Sequence, residues 1–265
     1  MFIKPHGSDK LNPLYVEDDQ KRAGILKEAA SMPSIVASSA AATNAVMMGG
    51  GYFNPLTGYM DLADAMSVAE KMQTTDGLFW PVPVINMVKD ASAIQGAKQI
   101  ALLDPNVDGN PIIAVQTVEK IEEVPEDKIN YMAEKIFRTL DPQHPGVAAF
   151  TGVGNTLISG PITVLSHSYF DTEFPGTYRT AVQIRAEMEE LGWKKVVAFQ
   201  TRNPMHRAHE ELCRMAFNDV DADGILIHML LGKLKEGDIP ADVRDASIRT
   251  MVDHYFPKGT VLITG

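Results

Sequence analysis

One stretch constrains the fold of this chain more than any other: residues 194–218, which read KKVVAFQTRNPMHRAHEELCRMAFN. It opens with residues 196–199, an apolar run that is too short for a helix and rich in strand formers, so we predict a buried strand. Asn203 is a good N-cap residue and Pro204 suits the first helical position, so a helix should begin here and extend to about Phe217. The pattern therefore predicts a strand, a tight connection and a helix.

The connection between them is rich in groups that attract anions. It lies at the carboxyl end of the predicted strand, where open α/β sheets bind ligands. Free backbone N–H groups and the positive dipole end of the helix favour an anion by roughly 0.3–2 kcal/mol, and Arg202 adds a planar fork for two oxygens of one oxyanion. His206 and His209, on one helix face, can donate hydrogen bonds to phosphate, more strongly when protonated. Since residues 200–209 contain no carboxylate, this set suits polyanion binding and charge stabilisation rather than acid/base hydrolysis.

Two metal-site readings of this region are weaker. His206, His209 and Cys213 could form a zinc face, but a cysteine in the apolar stripe of a helix usually behaves as a small hydrophobe. We predict that the buried stripe consists of Leu212, Cys213, Met215 and Ala216. Residues 219–224 imitate an EF-hand opening but lack its twelfth-position glutamate, so we predict a polar turn and no protein-bound metal.

Composition limits the class of protein. With 265 residues and 45% hydrophobic content, the chain can bury a sizeable core, and we predict two domains. A net charge of −10 repels nucleic acid and anionic membranes, so an anionic substrate needs a local positive pocket. One cysteine excludes an intrachain disulfide and fits a reducing cytoplasm. The chain start has no signal-peptide pattern, and no stretch reaches the roughly 18 apolar residues of a membrane span, so we predict a cytoplasmic protein.

Residues 1–165 are predicted to form a strand-rich first domain. Its predicted helices cover residues 21–32, 62–72 and 128–140, and its predicted strands lie within residues 79–87, 99–121 and 156–165. The glycine-rich residues 47–60 could cradle a phosphate, but they lack the lysine and Ser/Thr of a P-loop. We therefore predict a structural loop there.

Residues 166–265 are predicted to form an α/β second domain. A helix over 178–191 precedes the organising strand and helix, and a strand over 225–231, a helix over 241–255 and a strand over 260–264 follow. We predict the strand order third, second, first, which is one half of a doubly wound Rossmann-like sheet. Without the other half, the first strand becomes an exposed edge. Lys233 and Lys235 follow the second strand, where they either line a phosphate pocket or are merely solvated.

Residues 200–210, QTRNPMHRAHE, resemble the signature of the ATP sulfurylase (sulfate adenylyltransferase) family. GGGYFNPLTGYM and LDPQHPGV resemble stretches of that family's N-terminal domain, a small barrel similar to RNA-binding PUA domains. Met229 stands where the family usually has a proline, a variant that resembles the dissimilatory enzymes of sulfur bacteria. The resemblance implies an α/β chain with a strand-rich PUA-like domain and the first half of a Rossmann-like nucleotidylyltransferase domain. The family's GRDHAG-like loop has no counterpart, so we expect a fragment of a longer enzyme, whose own activity stays open.

The resemblance implies the reversible reaction ATP + sulfate to adenosine 5'-phosphosulfate + pyrophosphate, by in-line attack of sulfate on the α-phosphate. Gln200 and Arg202 would bind sulfate. The implied ATP contacts come from Gln200, Thr201, Asn203, His206 and His209, with Lys233 as a further candidate. The implied catalytic residues are Thr201, Arg202, Asn203, His206 and His209. Mg²⁺ would arrive with ATP, and the intact enzyme would be a homo-oligomer, with a dimer favoured.

Two alternatives remain. Another nucleotidylyltransferase can also use an HxxH at a helix start, and its dependence on a different acceptor would separate it. A PUA-like RNA-binding module is a non-enzymatic alternative. The acidic balance and the lack of a basic patch with interleaved aromatic residues argue against it.

Overall fold

The computed structural model describes residues 3–232 and 237–265. It divides into two compact units, one spanning Pro5–Ser168 and the other spanning Tyr169–Gly265 together with the first residues of the chain. The domain boundaries given above, 1–165 and 166–265, stay a prediction. None of the helices in the described ranges is long and apolar enough to cross a membrane.

The unit Pro5–Ser168 combines seven strands with five α-helices among the described residues. The helices are α1 (Asp19–Ala29), α2 (Ser39–Gly49), α3 (Leu62–Lys71), α4 (Glu126–Phe137) and α5 (Pro145–Thr151). The strands are β1 (Ser34–Val36), β2 (Gly58–Tyr59), β3 (Met87–Val88), β4 (Gln99–Leu103), β5 (Ile112–Thr117), β6 (Lys120–Glu123) and β7 (Thr156–Val164). The predicted helices at 21–32, 62–72 and 128–140 are confirmed to within about three residues.

Strand β7 is the centre of this sheet. The strand order is β1-β4-β5-β7-β2, and β3 and β6 also pair with β7. Close backbone packing explains the glycine at position 58, because a Cβ on Gly58 would lie 2.1 Å from the carbonyl oxygen of Gly160. The glycine-rich segment therefore has a structural role at this point.

Two predictions for this unit need correction. The strand predicted over 79–87 is almost entirely irregular: Phe79 forms an isolated bridge with Gln73, and regular pairing begins only at Met87. Pro81 and Pro83 interrupt the segment and remove ladder donors, which explains the loss. The loop predicted over 47–60 is also too long, because its first three residues complete α2.

The unit that contains Tyr169–Gly265 is an α/β layer. Its elements are α6 (Phe170–Glu173), α7 (Ala181–Glu190), β8 (Val196–Thr201), α8 (Arg207–Asp219), β9 (Gly224–Met229), α9 (Ala241–Tyr255) and β10 (Val261–Thr264). The three strands are parallel in the order β10-β9-β8, as predicted. Their register places Gln200 opposite His228 and His228 opposite Thr264, so three polar residues form a row near the carboxyl edge.

Helices α8 and α9 cover one face of this sheet with an apolar core. The core residues are Met205, Cys213, Ile225, Ile227, Met229, Ile248 and Met251. The buried stripe predicted for α8 is wrong for Leu212 and Met215, which are 53% and 52% exposed. The face of α8 that meets the sheet instead passes through Glu210 and Cys213, with Phe217 packed against the core.

Strand β8 is an edge strand in the described part of the chain, where it pairs with β9 alone. The prediction that it is buried is wrong, because Ala198 and Gln200 are exposed and only Thr201 is fully buried.

The polar turn before β9 supports the start of β8. Asp223 accepts hydrogen bonds from the backbone N–H groups of Lys195 and Lys194, both at 2.8 Å, and these bonds hold the pKa of its carboxyl below the ordinary value.

Candidate anion-binding site

The connection after β8 is shaped by Thr201. Its hydroxyl donates to the carbonyl oxygen of Asn203 at 2.9 Å and accepts from the N–H of Asn203 at 3.1 Å. Asn203 precedes a proline, which disfavours helical geometry, so the chain stays irregular for three more residues. The predicted helix start is therefore wrong: Asn203 is not the N-cap, and α8 begins at Arg207.

His206 caps this helix together with His209. Nδ1 of His206 accepts from the N–H of Ala208, and Nδ1 of His209 accepts from the N–H of His206, both at 3.3 Å. The two rings lie 4.0 Å apart, measured between their centroids. This reciprocal arrangement is a capping box built from two imidazoles.

The capping box changes what the helix start can offer a ligand. The N–H groups of His206 and Ala208 bond to imidazole nitrogens, so the prediction that backbone donors are free is wrong for these two. Since each Nδ1 accepts a hydrogen bond, each neutral ring carries its proton on Nε2 and can donate from there. Burial and the charge of His206 lower the pKa of His209, so His209 is neutral at pH 7. The sequence predicts stronger hydrogen bonds to phosphate from protonated rings, and this does not apply to His209.

Arg202 holds a carboxylate of the protein itself. Its Nη2 lies 2.6 Å from Oδ1 of Asp238, and its side chain is 43% exposed. Residues 200–209 lack a carboxylate, but the fold brings one to the arginine from 36 residues further along the chain. An oxyanion group already occupies one donor of the guanidinium, which shows that this fork accepts such groups in this position.

Gln200 and Asn203 are the other residues of this connection that are predicted to bind a ligand. Gln200 and Asn203 are exposed, and Gln200 lies in register with His228. Nδ1 of His228 lies 2.9 Å from Oγ1 of Thr264, and burial lowers the pKa of this imidazole. Lys233 lies outside the described residues, so its predicted place in the pocket stays a prediction.

Arg244 is a residue of this site that sequence reasoning missed. It lies in the second turn of α9 and is 3% exposed. Its Nη1 donates to the carbonyl oxygen of Leu230 at 2.8 Å and to that of Arg202 at 3.1 Å. A lone arginine in an amphipathic helix carries no local signal of such a contact, because the carbonyls belong to residues 14 and 42 positions away.

The zinc alternative fails at Cys213. The thiol is buried in the core, and burial raises its pKa to about 11, so it stays protonated and is a poor metal ligand. Within the described ranges, no group of three or more His, Cys, Asp and Glu residues is arranged to hold a metal ion.

A cavity of about 490 Å³ opens at the carboxyl end of β9. Met229 and Leu231 form part of its apolar wall, and Glu173, Asp242 and Asp245 contribute carboxylates. Three carboxylates repel a phosphate chain, so this cavity does not suit the polyanion. The positive and neutral donors at the end of β8 suit it better.

Two protein-family models match the chain, one in each of the two units of the fold. A model described as a PUA-like domain matches residues 3–167, and a model described as ATP-sulfurylase matches residues 176–265. The predicted fold class, a strand-rich PUA-like domain followed by an α/β domain, is confirmed.

Two curated relatives are similar over this whole chain. The sulfate adenylyltransferase of Alcanivorax borkumensis is 65% identical over 264 residues, and that of Allochromatium vinosum is 58% identical over 264 residues. Each alignment covers 100% of this chain and 66% of the relative. The chain therefore spans slightly less than two thirds of the length of these relatives.

One solved structure, titled hexameric APS kinase from Thiobacillus denitrificans, shares the fold. It superposes with a TM-score of 0.73 at 23% sequence identity, covering 99% of this chain and 46% of that one. At this identity, the likeness concerns the fold alone. Because high identity to curated relatives extends over the whole chain and both family models match it, the chain belongs to the ATP sulfurylase (sulfate adenylyltransferase) family.

Proposed function

We propose that the protein is a sulfate adenylyltransferase, which converts ATP and sulfate reversibly to adenosine 5'-phosphosulfate and pyrophosphate. One observation carries the proposal: Arg202, a half-exposed arginine that already holds a carboxylate, lies four residues before His206 and seven before His209, whose Nδ1 atoms cap the start of α8. This places a fork for one oxyanion close in sequence to two Nε2–H donors for another. Two anionic reactants are what adenylyl transfer to sulfate requires.

The chemistry needs positioning and charge neutralisation more than proton transfer. Sulfate is a nucleophilic anion at neutral pH, so an oxygen of sulfate can attack the α-phosphorus of ATP without a general base. As the new O–P bond forms, the bond to the bridging oxygen of the β-phosphate breaks, and pyrophosphate leaves with that electron pair. The site must hold two anions that repel each other and neutralise charge on the transferring group.

Each site residue has a role in this proposal. Arg202 exchanges the carboxylate of Asp238 for sulfate, which its planar fork can hold through two hydrogen bonds, and Gln200 adds an amide donor. His206 and His209 donate Nε2–H to the phosphates. Asn203 contacts the α-phosphate, and Mg²⁺ enters with ATP as the counter-ion of the pyrophosphate.

The proposal revises the role of Thr201. The family resemblance implies that Thr201 contacts phosphate directly, but its hydroxyl bonds to both backbone groups of Asn203. We assign it the task of fixing the loop that presents Arg202 and Asn203. Lys233 stays a candidate for the phosphate side.

The setting of the enzyme also belongs to the proposal. A single buried cysteine fits a reducing cytoplasm. The exposed apolar side chains of Leu212 and Met215 suit burial against a further surface, in line with a homo-oligomer for which a dimer is favoured. Light scattering of the purified protein measures the oligomeric state.

The decisive experiment is sulfate-dependent exchange of labelled pyrophosphate into ATP, run with Arg202→Lys and with Arg249→Lys as a matched control. Arg249 is exposed on α9 and pairs with Asp245. Lysine offers a point charge where sulfate needs a fork, so Arg202→Lys should lower exchange by about 100-fold or more, whereas the control should change little. Full activity of Arg202→Lys, or exchange that depends on an acceptor other than sulfate, would overturn the proposal.

A further inference from the structure

Arg244 is a buried cation that has no acidic partner among the described residues. It is 3% exposed, and across residues 3–232 and 237–265 no carboxylate forms an ion pair with it. Its Nε meets no hydrogen-bond partner in those ranges either. Burying a charge under these conditions is unfavourable, and an apolar residue of similar size would usually serve the core better. The packing of α9 therefore does not by itself account for an arginine here.

The contacts of Arg244 tie two strand ends together. The last paired residues of β8 and β9 are Thr201 and Met229, and the N–H of Leu230 donates to the carbonyl of Thr201 at 2.8 Å. Nη1 of Arg244 bridges the two carbonyls that come next, those of Arg202 and Leu230. The guanidinium of Arg244 thus links the two chains by hydrogen bonds one residue beyond the last backbone pair of β8 and β9.

Residues 238–244 therefore contact Arg202 twice, once at its main chain and once at its guanidinium. Its carbonyl accepts from Arg244, and its guanidinium pairs with Asp238, six residues earlier in the chain. Arg202 follows the last residue of β8, a strand that pairs with β9 alone in the described ranges, and its side chain is 43% exposed. The contact with Arg244 stays in place when sulfate replaces Asp238 on the guanidinium, so it continues to hold the main chain of Arg202 in the bound state.

We propose that Arg244 is a positioning residue for the anion site: it holds the carbonyls of Arg202 and Leu230 and so fixes where Arg202 presents its fork to sulfate. The inference rests on the function proposed above. A displacement of about 1 Å at a reacting group can cost on the order of 100-fold in rate. Loss of Arg244 should therefore be felt by sulfate, which Arg202 binds, more than by ATP, which other donors also hold.

The test compares Arg244→Met with Arg244→Lys, using Arg249→Met on the same helix as the control. Methionine fills the space without donating, so kcat/KM for sulfate should fall about 10- to 100-fold, while KM for ATP changes less than about twofold and the circular dichroism spectrum is unchanged. Lysine can reach one carbonyl, so Arg244→Lys should show an intermediate loss. The control should match the parent protein.

Other results would overturn the inference. If Arg244→Met keeps kcat/KM for sulfate within about twofold, Arg244 does not position Arg202. A merely structural role would instead lower the active fraction and leave both KM values of the folded fraction unchanged. If Arg244→Met does not fold, Arg244→Lys decides: a selective rise of KM for sulfate of at least about threefold supports the inference, and parent-like values overturn it.

A readout that needs no activity separates this inference from the proposed function. If the parent protein shows no sulfate-dependent exchange, the proposed function fails, and hydrogen–deuterium exchange of residues 201–206 still tests Arg244. Arg244→Met should raise amide exchange there about tenfold relative to Arg249→Met, because the loop loses its carbonyl anchor. Equal exchange rates in the two variants would contradict the positioning role.

Discussion

Strands β7 and β8 are stabilised in opposite ways. Strand β7 pairs with β2, β3, β5 and β6, and six of its nine residues are buried. In the described ranges β8 pairs with β9 alone, and Thr201 is its one fully buried residue. The proposed site begins at the end of the less supported strand.

This difference shows how the protein separates stability from chemistry. An edge strand can present its end to a ligand from several directions, but apolar packing fixes it poorly. The end of β8 is held instead by hydrogen bonds and ion pairs from Thr201, Asp238, Arg244 and the two capping histidines. We therefore expect substitutions around β7 to affect unfolding and those at the end of β8 to affect turnover.

The largest effect should come from Leu157→Ala in β7. Leu157 is 1% exposed in a cluster with Met87, Val124 and Met132, so its truncation leaves a cavity and should lower the free energy of unfolding of this unit by about 2–5 kcal/mol. The chain has two tryptophans, and Trp80 lies in the same unit. A Trp193→Phe background lets Trp80 fluorescence in urea report this unit alone.

The matched control for that variant is Leu140→Ala. Leu140 is 46% exposed, so its truncation should change the free energy of unfolding by less than about 0.5 kcal/mol. Equal destabilisation by the two variants would break the contrast between core and surface on which the comparison rests.

A smaller loss of stability is expected from Glu210→Gln in α8. The Glu210 carboxylate is buried, and its Oε1 accepts a hydrogen bond from Arg214. Its Oε2 lies 2.7 Å from Nη1 of Arg207 in an ion pair that lacks hydrogen-bond geometry. The neutral amide should cost about 1–3 kcal/mol, read from Trp193 fluorescence in a Trp80→Phe background. The neighbouring Glu211→Gln, at an exposed site, should cost less than about 1 kcal/mol. A cost for Glu210→Gln no larger than that of its neighbour would show that the buried carboxylate is unimportant.

Thr201→Val should mainly affect turnover. Valine keeps the shape but removes the hydroxyl that joins both backbone groups of Asn203, so sulfate-dependent pyrophosphate exchange should fall about tenfold, the equivalent of one hydrogen bond. Thr201→Ser retains the hydroxyl and should recover most of the rate. A variant with parent-like turnover and lowered stability would reverse the roles assigned to the two strands.

The smallest expected effect is on the pH dependence of stability, through His228. Burial lowers the pKa of His228 in the folded protein below its ordinary value of 6.5, so the unfolded chain binds the proton more readily. This contribution to stability is present above about pH 6.5 and is lost as the pH falls below it. Thermal unfolding between pH 7.5 and 5.5 should therefore depend on pH less steeply in His228→Asn than in the parent, whereas the exposed His254→Asn should follow the parent. Parallel curves for His228→Asn and the parent would contradict this.

Much of the fold could be predicted because its signals are local. The strand order of β8, β9 and β10 follows from alternating strand and helix patterns, and the prediction of α9 over residues 241–255 is confirmed in full. The predicted start of α8 is wrong because Asn203 and Pro204 imitate a helix start. The residue that caps the helix is His206, and histidine is not a usual N-cap residue.

The site was harder to predict because its contacts are distant in sequence. Residues 200–209 indicate an anion site, but neither the carboxylate of Asp238 nor the guanidinium of Arg244 can be inferred from that stretch. The same limit explains the errors at Leu212 and Met215. Apolar residues lie on more than one face of α8, and only the neighbouring sheet decides which face is buried.

The imidazole pair at the start of α8 has a consequence for how tightly a ligand can be held. Each ring is anchored through one nitrogen to the main chain, so its side-chain torsions are restricted before any ligand arrives. Association usually costs about 0.5–1.5 kcal/mol for each side chain that becomes immobilised. A phosphate that accepts from both rings meets donors whose conformational freedom has already been lost during folding, so little further entropy is lost in gripping it.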